Sequence, residues 1–97
     1  GKNYDQAYKI GHPIFKNKTF ESIGKKVKQF FLEGYLNSCK RRLKVLGIED
    51  WEEIVEVAEE VNKLDDQEGI NPKVEITLAK KQIEKIKRSN NENQDSD

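Results

Sequence analysis

Two residues of this chain have the chemistry of a nucleophile and its base: Cys39 and His12, the single cysteine and single histidine among 97 residues. A Cys–His pair works only where the fold holds the imidazole within hydrogen-bond reach of the sulfur. Their surroundings argue against it. His12 precedes Pro13 in "GHP", a turn signal, and Cys39 falls in line with Leu32, Leu36 and Leu43, where a free cysteine acts as a small apolar side chain. One histidine and one cysteine fall short of the four ligands of a structural zinc site. "LDDQEG" at 64–69 starts like a calcium loop, but the twelfth position from Asp65 is Ile76, where a bidentate glutamate is required. Glu52/Glu56 and Glu59/Glu60 are paired carboxylates suited to acid–base work, yet they lie opposite apolar positions and read as the solvated side of a helix. The glycines are isolated, so no phosphate-cradling loop is present. The expectation is a protein without catalysis, metal or cofactor.

Binding is the better-supported chemistry. "KKVKQFFLEGYLNSCKRRLK", residues 25–44, places Lys25, Lys26, Lys28, Lys40, Arg41, Arg42 and Lys44 around a single carboxylate. Seven cations on one surface would neutralise several phosphates, with non-specific affinity of roughly 10⁻⁴–10⁻⁶ M. Against this, the helix with the clearest capping signal is acidic and cannot enter a DNA groove as a recognition helix. Phe30 and Phe31 are also assigned to the core, which leaves no exposed ring for base stacking. Tyr35 and Trp51 are candidate anchors for a protein partner, because Tyr and Trp dominate interface hot spots. The favoured reading is a non-catalytic protein-interaction domain, adaptor or regulatory. The alternative is a nucleic-acid-binding module using 25–44.

Composition bounds both readings. Hydrophobic residues make up 34% of the chain and charged residues 37%, against about 45–50% and about 25% in ordinary domains, so the core must be thin. Net charge is zero overall but divided. Residues 1–46 hold eleven Lys/Arg against three Asp/Glu, and residues 47–97 hold seven against fifteen. Such halves pair with each other or face different partners. The longest apolar run, Phe30 to Leu32, rules out a membrane-spanning segment in the sequence, and a lone cysteine fits an intracellular, cytoplasmic or nuclear, setting. The opening Gly1 and the lack of methionine read as a piece of a longer protein.

The elements that must position these residues follow from periodicity. Residues 1–18 show no evident helical period around "GHP" and are expected to form an irregular arm packed on the core. Thr19 is a candidate N-cap, followed by Phe20, Ile23, Val27, Phe30 and Phe31 on one stripe. Leu32, Tyr35, Leu36, Cys39, Leu43 and Leu46 form a second stripe, rotated by roughly a third of a turn. Because one straight helix cannot bury both, the sequence predicts two helices, 19–33 and 35–46, or a sharp kink at Gly34.

Gly47 then reads as a C-cap and Asp50 as the N-cap of an acidic helix, with Glu53 at capping-box spacing. Asn71-Pro72 opens a last helix to about residue 88, with a strand at 73–78 as runner-up. Residues 89–97 read as a disordered polar tail. The predicted fold is all-α, a bundle of three to four helices over 19–88 with an N-terminal arm; α+β is the runner-up. Its expected core is Phe20, Ile23, Val27, Phe31, Leu36, Leu43, Leu46, Trp51, Ile54, Ala58, Val61, Ile76, Ala79, Ile83 and Ile86.

Overall fold

A computed structural model describes residues 2–64 and 69–95. They form four helices: α1 (Lys2–Lys16), α2 (Lys25–Arg41), α3 (Ile48–Asn62) and α4 (Pro72–Asp95). The all-α bundle expected from the sequence is what the chain forms, and the described residues contain no strand. No helix among them is long and apolar enough to cross a membrane. Residues 65–68, which hold most of the calcium-like stretch, lie outside the described residues.

The N-terminal arm is a helix, not an irregular segment. Tyr4, Tyr8, Gly11 and Phe15 recur at spacings of four, three and four, which stacks them on one face of α1. Pro13 lies within α1 and withholds one backbone donor. It is exposed and within one turn of the helix end, and its own carbonyl accepts Asn17 N–H at 2.9 Å. The turn comes later, at Lys18, whose φ of 57° lies in the left-handed region. Thr19 begins a single 3-10 turn, Thr19–Ser22, and not a helix. That turn buries Phe20 between the rings of Phe15 and Phe31, with centroids at 5.4 and 6.1 Å.

Gly24 is the N-cap of α2, which runs unbroken through Gly34 to Arg41. The two stripes are reconciled within this one helix. Leu32, Tyr35, Leu36 and Cys39 are buried, Phe31 is half-buried, and Val27 and Phe30 are left outside. Leu43 falls in the loop after α2 and is 72% exposed, so Val27 and Leu43 do not belong to the core. Phe15, Leu32, Tyr35, Cys39 and Val57 take their place.

Gly47, not Asp50, is the N-cap of α3. Asp50 sits at the third helical position, where its carboxylate accepts the Gly47 N–H at 2.9 Å. α4 packs against α3 through Ala79, with Ile76 half-buried beside it. Asn71 caps α4 as expected, its Oδ1 accepting the N–H groups of Lys73 and Val74 at 3.2 and 3.4 Å. Residues 73–78 are therefore helical, and α4 continues to Asp95 through most of the expected tail. From Pro72 onward, no proline or glycine interrupts it.

Candidate functional site

The sequence candidates divide into a closed interior and an open surface. The interior is built around Glu53, on the inward side of α3 and 7% exposed. Tyr8 Oη donates to Glu53 Oε1 at 3.1 Å, and Tyr35 Oη donates to Glu53 Oε2. His12 Nδ1 lies 3.1 Å from Glu53 Oε2 and 2.9 Å from Tyr35 Oη. With its proton on Nδ1, the imidazole donates to the carboxylate, which then accepts from three side chains of α1 and α2. Burial raises the phenol pKa values of both tyrosines; the bond from Glu53 adds to this at Tyr35 and the charge of Glu53 adds to it at Tyr8. Both therefore remain neutral donors.

The rings around Glu53 are packed face to face. Tyr8 stacks on His12 at 5.0 Å and on Tyr35 at 5.7 Å. This approach requires Gly11, because a Cβ there would stand 2.6 Å from Tyr35 Cδ1. Arg42 covers Tyr8 with its guanidinium carbon 3.5 Å from the ring centroid, and Nη2 bonds Asp50 Oδ1 at 2.7 Å. Burial opposes the Asp50 charge. The Gly47 N–H and Lys44, then Arg42, outweigh it and hold the carboxyl below its usual range.

The Cys39 thiol is influenced by the same two groups that His12 bonds, Tyr35 and Glu53. Cys39 is fully buried on α2, and burial, followed by the charge of Glu53, pushes its thiol up to about 12. A thiol held protonated is a weak nucleophile. Among the described residues, no cluster of three or more His, Cys, Asp or Glu is placed to hold a metal ion.

The basic segment does not present one surface. Lys40 Nζ bonds Glu75 at 2.7 Å, Arg42 is inside the Tyr8–Asp50 arrangement, and Lys44 Nζ lies 3.2 Å from Asp50. The basic half of the sequence meets the acidic half within the molecule at these points. Lys25 and Lys26 are exposed at the start of α2, Lys28 is half-buried, and Arg41 lies 6.0 Å from the Tyr4 ring centre. Tyr35, a candidate partner anchor, is 3% exposed and belongs to the interior. Trp51 is half-buried between Lys40 and Lys44 on one side and α4 on the other.

The open surface is the outer face of the α1–α2 hairpin. Val27, Phe30 and Gly34 share one face of α2 at i, i+3 and i+7, turned away from the buried stripe that meets α3. Val27 is 59% and Phe30 67% exposed, and a Cβ on Gly34 would meet nothing within 4 Å. On α1, Ile10 is 69% exposed. Phe30 escaped sequence reasoning because it fits the first apolar stripe as well as Phe31 does. No protein-family model, curated protein or solved structure matches this chain.

Proposed function

We propose that this chain is a non-catalytic protein-interaction domain that docks its partner on the outer face of α1 and α2. The supporting observation is Phe30, a whole aromatic side chain standing in solvent on the same helical face as Val27 and the open notch at Gly34. Large apolar side chains grouped on one face mark interaction surfaces, whereas scattered single ones do not. Lys26 lies at one end of this face and Arg41 at the other, with Glu33 the carboxylate between them. The partner that fits is a helix with an apolar side chain over Gly34 and carboxylates toward both ends. Phosphate binding by the whole 25–44 segment is less favoured, because Lys40, Arg42 and Lys44 already face internal carboxylates.

Photo-crosslinking in the cells that make the protein tests this reading. Benzoylphenylalanine in place of Phe30 is expected to yield a discrete adduct with an acidic, apolar helix of one protein. Gly34→Leu, which fills the notch, and Lys26→Glu should each diminish it. Adducts no different from those formed at exposed Glu59, in a chain still helical by circular dichroism, would overturn the proposal.

A further inference from the structure

The trough between α2 and α4 combines features that neither sequence reading joined. Lys40 from α2, Lys44 from the following loop and Lys85 from α4 stand around Trp51, with Leu46 and Ile86 supplying apolar wall. Lys40 and Lys44 pair with Glu75 and Asp50 at 2.7 and 3.2 Å. Each ammonium carries three N–H donors, so the pairing leaves donors to offer a ligand. Lys81 and Arg88 lie on the α4 face of Lys85, one turn to either side. A second depression shares Lys85 and Ser89 with the first and extends this cationic surface along α4. Lys40, Lys44, Lys81, Lys85 and Arg88 face Asp50, Glu75 and Glu84, so the trough keeps a positive balance.

We infer that this trough binds a ligand joining a planar ring to phosphate: a nucleotide, either free or within a single strand. Trp51 offers a ring for stacking, Lys85 and, one turn away, Lys81 offer charge to the phosphate, and Gln82 and Ser89 line the α4 side with hydrogen-bonding groups. The site is separate from the Phe30 face and uses Lys40 and Lys44 from the basic segment without Lys25, Lys26, Lys28, Arg41 or Arg42.

Trp51 is the only tryptophan in the chain, so its fluorescence reports the trough directly. The probes are a ten-nucleotide thymidine strand, adenosine diphosphate, inorganic phosphate and a polyglutamate peptide, each titrated at 50 and 200 mM NaCl. The strand or the nucleotide is expected to quench Trp51 saturably, with affinity falling at least several-fold at the higher salt. Quenching by the strand alone assigns the site to single strands; equal quenching by the diphosphate assigns it to free nucleotide. Lys85→Glu, an exposed substitution, should weaken binding at least ten-fold, while Phe30→Ser leaves it unchanged. The inference fails if neither strand nor nucleotide quenches at 50 mM, or if Lys85→Glu binds as well as the parent. It fails equally if inorganic phosphate or polyglutamate matches the nucleotide probes.

Discussion

The inner and outer faces of the α1–α2 hairpin each carry an exception to the usual distribution of side chains. Inside, at the junction with α3, lie a carboxylate, two phenols and an imidazole; outside stand Ile10, Val27 and Phe30. Neighbouring residues on α2 illustrate the split, since Phe31 packs between Phe20 and Tyr35 while Phe30 projects into solvent. A buried polar cluster is tolerated only when every member finds a partner, and a large apolar side chain left outside gains nothing for folding. The interior therefore has the character of a joint, and the exterior that of a surface kept for another molecule.

The largest test of this contrast is Glu53→Leu. It removes the acceptor shared by Tyr8, Tyr35 and His12, leaving the Tyr8 hydroxyl without its carboxylate and Tyr35 with only His12 beside it. At about 1–3 kcal/mol for an unsatisfied group, a loss of about 1–3 kcal/mol is expected in urea denaturation. A loss below 1 kcal/mol would mean that the cluster does not hold α1 to α3.

The same substitution at two glycines sharpens the comparison further. Gly11→Ala drives a Cβ toward Tyr35 Cδ1, at 2.6 Å, and should destabilise by about 1–3 kcal/mol despite alanine's better helix propensity. Gly34→Ala meets nothing within 4 Å and should stabilise α2 by roughly 0.5–1 kcal/mol. Melting temperatures moving in the same direction would show that the two faces are not as different as described.

The last test varies pH. The Cys39 thiol is pushed from 9.0 to about 12 in the fold, so between those values the folded chain holds a proton that the unfolded chain releases. Stability is then full below about pH 9 and declines as pH rises toward 12, with Tyr8 and Tyr35 acting in the same direction above 10. Cys39 should also resist a thiol reagent at pH 8 until the chain unfolds. Prompt labelling of the folded protein would place Cys39 outside the sealed interior.

The acidic helix and the Asn71-Pro72 start of α4 were legible because their signals are local: one apolar stripe, and a cap beside a proline. The helicity of 2–16 was written in the spacing of Tyr4, Tyr8, Gly11 and Phe15, but "GHP" masked it by suggesting a turn. Of the site residues, Glu53 looked like a capping partner, since its burial depends on two tyrosines and a histidine that are distant in the chain.

The sequence alone settled the division of charge and the shortage of apolar residues for a thick core, and it favoured the helical class and the last two helices over an α+β runner-up. Each follows from composition or from contacts within a few residues. Tertiary structure decided which of the two α2 stripes is buried, because α1 and α3 together cover only one side of a single helix. It likewise decided that Lys40, Arg42 and Lys44 face carboxylates of the acidic half, and that Trp51 stands between lysines of α2, the loop and α4. Helical spacing determines which residues share a face; only packing determines which face meets the core.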